Sequence, residues 1–162
     1  MNIRVGYGYD VHRLSHGEEL WLGGIKIPFE KGTVAHSDGD VLIHAVCDAL
    51  LGAANLRDIG YHFPDHSDEY KDISSLILLE RTSLLLRNEG YIIGNIDSTI
   101  VAQRPVLKDF IPEMQRKMAG KMGIGVGQLS IKATTTENLG FEGREEGISA
   151  YATVLIEKIK TK

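Results

Sequence analysis

The feature that most constrains the fold is an alternating segment, residues 3–14, followed by an apolar segment of helical periodicity that runs to about Ala54. The first pattern is typical of a β-strand, because successive side chains of a strand point to opposite faces. The second predicts a helix that begins at Ser37 or Asp38, both of which are good N-cap residues. A strand followed by a long helix favours a fold in which helices cover a sheet.

The rest of the chain continues to alternate between strand and helix patterns. We expect a short strand or a hairpin at residues 20–27, with Gly23-Gly24 as a bulge or turn. We also expect strands at 91–103, 128–135 and 148–159, helices at 73–88 and 108–122, and a loop at 55–70. We therefore predict one α/β (α+β) domain over residues 1–162, a single-layer mixed sheet with helices on one face. The other face would be bare, and because proteins rarely expose a broad apolar face, we predict a homo-oligomer.

Composition and charge exclude several classes of partner. The formal net charge is −4 and no basic stripe with interleaved aromatic residues is present, so we expect no nucleic-acid partner. No apolar run approaches the roughly 18 residues of a membrane span, and no charged-then-apolar leader is present. We therefore expect no membrane association and a cytoplasmic protein. The single cysteine, Cys47, cannot form an intrachain disulfide, which fits a reducing compartment.

Asp10 and His12 are two residues apart on the first predicted strand, so their side chains share a face. His44 lies about two turns along the predicted helix, and one carboxylate with two imidazoles suits zinc. Three protein ligands leave one tetrahedral position open, as in catalytic zinc sites. Asp48 follows His44 by one turn and could orient the imidazole by accepting its second N–H. The spacing alone leaves open that these are surface histidines beside a solvated aspartate, and that Asp48 faces solvent or caps a neighbouring element.

Two further groups of residues suit phosphate. His36 and Ser37 stand at the expected N-terminal end of the helix, where free N–H groups and the helix dipole favour an anion. The threonines at 134–136 offer hydroxyl donors at a strand end, and Glu137 could hold a hard divalent cation. Each pattern also has a plain structural interpretation, namely a helix cap with a loop residue in the first case and a strand edge in the second.

Together these motifs resemble those of the 2-C-methyl-D-erythritol 2,4-cyclodiphosphate synthase family, from the first strand to the last turn. The motifs that carry the resemblance are Gly8-Tyr9-Asp10-Val11-His12, Ala35-His36-Ser37-Asp38-Gly39-Asp40, His44, Asp48-Ala49-Leu50-Leu51-Gly52-Ala53, Asp58-Ile59-Gly60, Phe63-Pro64-Asp65, Ala133-Thr134-Thr135-Thr136-Glu137 and Leu139-Gly140-Phe141. The resemblance implies a homotrimer whose sheets face the three-fold axis, with active sites between adjacent subunits. It also implies a role in the non-mevalonate isoprenoid pathway.

The reaction implied by the resemblance is an intramolecular phosphoryl transfer. The substrate would be 4-diphosphocytidyl-2-C-methyl-D-erythritol 2-phosphate, whose 2-phosphate attacks the β-phosphorus while CMP leaves, giving the 2,4-cyclodiphosphate. Such an enzyme is a phosphorus–oxygen lyase. Because a phosphate oxygen is already ionised at neutral pH, catalysis would come from in-line positioning and from cancelling the repulsion between anions.

The resemblance also assigns roles to particular residues. The implied metal ligands are Asp10, His12, His44 and Glu137. The first three would bind Zn²⁺, and Glu137 would serve a Mg²⁺ or Mn²⁺ ion between the α- and β-phosphates. His36 and Thr135 are the implied catalytic residues, which would steady the charge that develops on the transferring phosphoryl group.

The implied substrate site draws on several separate segments. Asp58 and Gly60 would meet the methylerythritol hydroxyls, and residues 63–67 would form part of a mobile flap. Residues 102–108 would contact the cytidine largely through the backbone, although Val106 stands where the family commonly has lysine. The full implied substrate-binding set is Asp10, Val11, His12, His36, Ser37, Asp58, Ile59, Gly60, Phe63, Pro64, Asp65, His66, Ser67, Ala102, Gln103, Arg104, Pro105, Val106, Leu107, Lys108, Thr134, Thr135, Thr136, Glu137, Phe141 and Arg144.

Phe141 and Arg144 match the family's residues near the trimer axis, where a central cavity can hold an isoprenoid diphosphate. Two other functions compete with that of a synthase. A zinc hydrolase would need a glutamate beside the metal-bound water, and no such motif adjoins Asp10 or His12. A trimeric small-molecule binding protein with a structural metal would need a fourth protein ligand, and the sequence offers three.

Overall fold

The structure is a computed structural model that describes residues 2–64, 70 and 72–159. Its strands are β1 (Ile3–His16), β2 (Leu20–Leu22), β3 (Ile25–Ile27), β4 (Lys31–Val34), β5 (Tyr91–Val101), β6 (Leu129–Thr134) and β7 (Gly147–Lys158). Its helices are α1 (Val41–Ala53), α2 (Ile59–His62), α3 (Ser75–Asn88), α4 (Ile111–Met122) and α5 (Gly140–Gly143), and one 3₁₀ turn covers Val126–Gln128.

Five of the strands form one mixed sheet in the order β4–β1–β7–β5–β6. Only the β5–β6 pair is parallel, and β2 and β3 form a separate two-stranded ribbon. The predicted α+β class with a mixed sheet is therefore confirmed. None of the helices in the described part of the chain has the length and hydropathy of a membrane-spanning segment.

The sequence-based prediction missed strand β4 and the short helices α2 and α5. Strand β4 has four residues and pairs with the end of β1, His16 opposite Lys31, so its pattern is too short to show a period. Helix α2 lies inside the expected loop at 55–70 and is a single turn, with the carboxylate of Asp58 accepting the N–H of Tyr61 at 2.9 Å.

Helix α1 begins at Val41, later than the expected start at Ser37 or Asp38. Asp40 is its N-cap, and the Asp40 carboxylate accepts the N–H of Ile43 at 3.0 Å. Gly39 has φ 67°, in the left-handed region, so the chain cannot already be helical at that point. The predicted start at Ser37 or Asp38 is therefore wrong, because Asp40, a later residue of the same capping type, is the actual N-cap.

Helix α1 packs against β1 with almost no side chain between them. A Cβ added to Gly6 would lie 2.0 Å from the carbonyl oxygen of Ala49, and one added to Gly8 would lie 2.0 Å from that of Ala45. These distances are far below van der Waals contact, so only glycine allows the helix to approach this closely. The approach brings the side chains of α1 next to those that follow Gly8 on β1.

The opposite face of the sheet is bare at β1 and β7. On β1 its side chains are large and apolar or aromatic, and two of the residues with which they alternate are the glycines that face α1. Val5 and Tyr7 are 66% and 63% exposed, and Tyr9 packs on Tyr151 across the strands with ring centroids 5.0 Å apart. The structure thus has the uncovered apolar face from which an oligomer was predicted.

Candidate active site

Three side chains from two elements converge where β1 passes under α1. The Oδ2 atom of Asp10 lies 3.1 Å from Nε2 of His12 and 3.1 Å from Nδ1 of His44. The two ring nitrogens are 3.4 Å apart. Ligand atoms bonded to a tetrahedral zinc ion at about 2.0–2.1 Å would be separated by about 3.3 Å. The donor set and its spacing therefore fit a single metal ion, as the resemblance implied.

Both imidazoles influence the charge of Asp10. Burial of the carboxylate raises its pKa, but hydrogen bonds from His12 and His44 outweigh burial and bring the pKa of Asp10 to about 2. For His44, burial lowers the pKa, while the hydrogen bond and negative charge of Asp10 more than compensate, so its pKa is raised. Asp10 is therefore ionised at neutral pH and available as an anionic ligand.

The second nitrogen of His44 is held by a serine and not by Asp48. Nε2 of His44 lies 2.8 Å from Oγ of Ser75, which in turn donates a short hydrogen bond to Oδ1 of Asp38. The carboxylate of Asp48 instead accepts the N–H of Ile59 at 3.1 Å, at the start of α2. The suggestion that Asp48 orients His44 is therefore wrong, because that carboxylate is engaged in fixing α2.

A cavity of about 140 Å³ opens beside the three converging side chains. Its lining residues are Asp10, His12, Ala35, His36, Ser37, His44, Ile59, Gly60, Phe63, Tyr70, Ile73 and Leu78. His36 and Ser37 thus line the same cavity as Asp10, His12 and His44, although they precede helix α1 and do not cap it. Asp58, which caps α2, is outside this lining, and Pro64 is half-buried beyond it. Asp65, His66 and Ser67 lie outside the described residues.

The threonine segment and Glu137 lie at the same end of the sheet but on a different strand. In the sheet register Val11 is opposite Ser149, Ser149 is opposite Val101, and Val101 is opposite Thr134. With neighbouring strands about 4.8 Å apart, three steps separate the backbones of Val11 and Thr134 by about 14 Å. One chain therefore does not bring this segment to the aspartate and histidine side chains.

Glu137 lies in a tight turn after β6. Its φ is 53°, in the left-handed region, and that of the next residue, Asn138, is 63°. Oγ1 of Thr135 lies 3.3 Å from a Glu137 carboxylate oxygen, and Oγ1 of Thr136 donates to the carbonyl oxygen of Leu139 at 2.5 Å. The turn therefore holds Thr135 and Glu137 side by side on the surface.

The segment 102–108 runs next to that turn. The N–H of Ala102 donates to the carbonyl of Thr134 at 3.0 Å, and the N–H of Asn138 donates to Oε1 of Gln103 at 3.1 Å. The Arg104–Pro105 peptide is cis. Leu107 is buried in the core, whereas Val106 and Lys108 are exposed. The two segments therefore form one continuous surface.

The guanidinium of Arg104 already has carboxylate partners. It bonds to Glu145 at 2.6 Å and to Glu30 at 2.9 Å, which raises the pKa of Arg104 and lowers that of Glu145. The pKa of Glu30 is lowered first by a hydrogen bond from its own backbone and then by Arg104. Arg104 was one of the expected substrate contacts. These ion pairs engage Nε and Nη2, so the donors of Nη1 are those that a ligand would meet first.

Phe141 and Arg144 lie at the bare face of the sheet. Phe141 lines a cavity of about 600 Å³ together with Val11 and Leu14 from β1. The guanidinium of Arg144 bonds to the carboxylate of Glu146 at 3.1 and 3.0 Å. Both residues are thus near a space that the single chain leaves open.

Asp38 and Ser75 are the residues that sequence reasoning missed at this site. Ser75 is 31 positions from His44, and a serine in the first turn of a helix is so common that no local pattern sets it apart. Asp38 was interpreted as a cap of the following helix. In the structure it instead accepts the N–H of Ser75 at 2.8 Å, at the start of α3.

Known proteins resemble this chain in sequence and in fold. A sequence model described as the YgbB family matches residues 3–157. A Bacteroides fragilis protein named 2-C-methyl-D-erythritol 2,4-cyclodiphosphate synthase is 65% identical over 159 residues, covering 98% of this chain and 100% of that protein.

Solved structures also resemble this chain over nearly its whole length. The bifunctional IspDF of Campylobacter jejuni has a TM-score of 0.93 and 41% identity over 98% of this chain, which corresponds to 43% of that chain. IspF of Plasmodium falciparum, solved as a CDP complex, has a TM-score of 0.86 and 33% identity, covering 99% of both chains. The similarity thus extends over nearly the whole chain in each comparison.

Proposed function

The chain belongs to the YgbB family, and from this premise we propose that it converts 4-diphosphocytidyl-2-C-methyl-D-erythritol 2-phosphate to 2-C-methyl-D-erythritol 2,4-cyclodiphosphate with release of CMP. Its relatives are named as synthases of that product, so the chain is an enzyme of this kind. Loss of CMP by internal attack makes it a phosphorus–oxygen lyase of isoprenoid precursor biosynthesis. The observation that carries the proposal is the convergence of Asp10, His12 and His44 beside a pocket lined by His36 and Ser37.

The metal we assign to Asp10, His12 and His44 is Zn²⁺. One ionised carboxylate and two imidazole nitrogens are donors that zinc prefers, and three protein ligands are typical of a catalytic site. A bound zinc ion would supply Lewis-acid polarisation of a phosphate oxygen. The side chains themselves hold that position on two rigid elements, β1 and α1.

His36 and Ser37 are the groups we assign to a substrate phosphate. Both line the cavity with Asp10 and His44, and both side chains can donate hydrogen bonds. His36 would steady negative charge on the transferring phosphoryl group, and the backbone around Gly60 would meet the methylerythritol hydroxyls. Asp58 would reach the same hydroxyls through a small movement of helix α2, which this residue caps.

The single-chain cavity is too small for the whole substrate, so we propose that a second copy completes it. Ligand pockets of drug size measure about 300–1,000 Å³, whereas this cavity is about 140 Å³. Thr135 and Glu137 follow Thr134, whose backbone is about 14 Å from that of Val11 by strand spacing, and they would reach the diphosphate from the neighbouring subunit. Glu137 would there hold Mg²⁺ or Mn²⁺ between the two phosphates, and Thr135 would donate to the transferring group.

The assembly we propose is a homotrimer in which the bare sheet faces surround the three-fold axis. Support comes from the exposed apolar residues on that face, Val5, Tyr7, Tyr9 and Val11 among them. In a closed ring each subunit contacts its two neighbours through two different edges. The edge that carries Asp10, His12 and His44 can then lie against the edge of the next subunit that carries Thr135 and Glu137. The resemblance of the sequence to the synthase family points to three subunits.

The cytidine would lie along residues 102–108, beside the turn that carries Thr135 and Glu137. The hydrogen bond from Asn138 to Gln103 joins the two segments, and the Plasmodium falciparum relative was solved as a CDP complex. Backbone groups would make most of the contacts, because Arg104 is held by carboxylates. Val106, at 73% exposure, replaces a cation with an apolar side chain at the edge of this surface.

An isoprenoid diphosphate at the trimer axis would meet Phe141 and Arg144. The cavity beside Phe141, about 600 Å³, is large enough for part of an apolar tail. The carboxylate of Glu146 occupies the guanidinium of Arg144. A diphosphate at this position would therefore bind the remaining Nη donors of Arg144 or displace Glu146.

The test of the proposed reaction is incubation of the protein with the cytidylyl substrate, zinc and magnesium, followed by separation of the nucleotides. Formation of CMP and the cyclic diphosphate in equal amounts is expected, because one transfer produces both. Intact substrate after incubation with zinc-loaded protein would refute the enzyme assignment.

His44→Ala tests the metal ligands within that assay. Loss of one of three ligands should abolish zinc retention and lower CMP release by on the order of 100-fold or more, while the protein still assembles. His16→Ala is the matched control, because His16 is exposed at the end of the same strand that carries Asp10 and His12. Full turnover in His44→Ala, or an equal loss in His16→Ala, would contradict the ligand assignment.

A further inference from the structure

We propose that Ser75 and Asp38 are positioning residues that set which nitrogen of His44 binds the metal, so that the first turn of α3 is part of the metal site. The inference rests on the proposed function only in taking the ion to be zinc. Its basis is a chain of hydrogen bonds from His44 Nε2 to Ser75 Oγ, and from Ser75 Oγ to Asp38 Oδ1.

The direction of this chain follows from counting protons. Nδ1 of His44 faces Asp10 and His12 at 3.1 and 3.4 Å, so it is the nitrogen directed at the metal and must carry no proton when the metal is bound. Nε2 then carries the proton and donates it to Ser75 Oγ at 2.8 Å. The Ser75 hydroxyl accepts that bond and donates its own hydrogen to Asp38, whose ionised carboxylate can only accept.

Burial protects this series of hydrogen bonds from competition by water. Ser75 is fully buried and the His44 side chain is 12% exposed, so the serine hydroxyl cannot exchange its partners for bulk water. The hydrogen bond to a carboxylate is charge-assisted, which makes it stronger than one between neutral groups. Ser37 also approaches Nε2, but at 3.4 Å, and it faces the substrate pocket. Ser75 is therefore the closer partner and the one with no role in the pocket.

Asp38 is held firmly enough to fix the far end of the chain. Its second carboxylate oxygen accepts the N–H of Ser75 at 2.8 Å, and its own N–H donates to the carbonyl of Ile73 at 3.3 Å. Oδ1 also accepts the N–H of Asp40 at 3.3 Å, at the cap of α1. The carboxylate thus ties the start of α3 to the start of α1, which carries His44.

The experiment measures zinc affinity of the purified, zinc-depleted protein by competition with a chromophoric chelator, without substrate. Ser75→Ala removes the acceptor for Nε2–H and should weaken zinc binding 10- to 100-fold, the usual effect of losing such an orienting partner. Ser75→Thr keeps the hydroxyl and should recover most of the affinity. The absorption spectrum of the Co²⁺-loaded protein should change in Ser75→Ala and return towards that of the parent protein in Ser75→Thr.

Ser83→Ala is the matched control for a merely structural effect. Ser83 is also buried on α3, but its hydroxyl donates to the carbonyl of Leu79 at 2.9 Å, away from the metal site. Its zinc affinity should equal that of the parent protein. If Ser75→Ala does not fold, Asp38→Asn carries the test with the same expected loss, since the amide keeps the shape but not the charge.

The outcomes separate this inference from the proposed function. If Ser75→Ala and Asp38→Asn both bind zinc as tightly as the parent protein, the positioning role of Ser75 and Asp38 is overturned, while the proposed reaction is unaffected. A parent protein that binds no zinc would instead overturn the metal assignment, and with it both proposals.

Discussion

Asp40 is a fully buried carboxylate that forms no ion pair within the described residues. Burial, and after it the negative charge of Asp38, raise the pKa of Asp40 to about 6, against hydrogen bonds from the N–H groups of Gly24 and Ile43. The residue is needed to join the turn of the β2–β3 ribbon to the start of α1. Ionisation of Asp40 above pH 6 is therefore unfavourable in this buried position, although its oxygens can accept the two backbone hydrogen bonds in either protonation state.

The stability of the protein should consequently show a pH dependence that belongs to Asp40. Its pKa is higher in the folded state, about 6 against 3.8, so the folded state binds the proton more tightly and stability from this group is lost as pH rises. Two pKa units correspond to about 3 kcal/mol. The free energy of unfolding of the parent, minus that of Asp40→Asn, should fall by up to that amount between pH 4 and 7. A difference that stays constant with pH would contradict this account.

Individual site residues were predictable from the sequence to different degrees. Asp10, His12 and His44 were accessible because strand and helix periods determine which side a residue faces, and both periods were clear. Ser75 was not, because nothing in its own segment records that Asp38 and His44 lie next to it. Ser75 was missed because it is far from His44 in sequence, not because its hydroxyl is an unusual partner for an imidazole.

Strand β1 and helix α1 together define the metal site, and Gly8 determines how close they come. Gly8→Ala would place a methyl group 2.0 Å from the carbonyl oxygen of Ala45, so the helix must shift. Overpacking of this kind costs about 1–3 kcal/mol, and the shift should also separate His44 from Asp10. Chemical denaturation and zinc titration should therefore both record a loss.

Gly52→Ala is the control for that substitution. Gly52 lies on the same helix, and a Cβ there would meet nothing within 4 Å. Replacing a helical glycine with alanine in open space should stabilise the protein by roughly 0.5–1 kcal/mol. Unchanged zinc affinity in Gly8→Ala would show that the close approach does not position the ligands.

At the level of elements, the long periodic segments were predictable and the short ones were not. Strands β1, β5 and β7 each span eleven or more residues, and their alternation was visible. Strand β4 and helix α2 have four residues each, fewer than any periodic signal needs. The start of α1 was placed too early because several capping residues follow one another, and only tertiary contacts assign Asp38 to α3 and Asp40 to α1.

For the whole molecule, the bare sheet face predicts assembly, and Val5 is one of its most exposed apolar residues. Val5→Glu puts a charge on a residue that is 66% exposed in the single chain and should be buried in the trimer. The variant should sediment as a monomer and lose CMP release. Leu84→Glu, on α3 at 53% exposure, should stay trimeric. A monomeric parent protein with full activity would contradict the proposed assembly.

The most direct test of the account asks whether one active site draws on two copies of the chain. His44→Ala and Glu137→Ala are each expected to be inactive, because each lacks one half of the site. Co-expressed in equal amounts with different tags, they should form mixed trimers in which about one site in four has both halves intact. CMP release near a quarter of the parent rate is the predicted result, whereas no recovery over the separate variants would show that the site lies within a single chain.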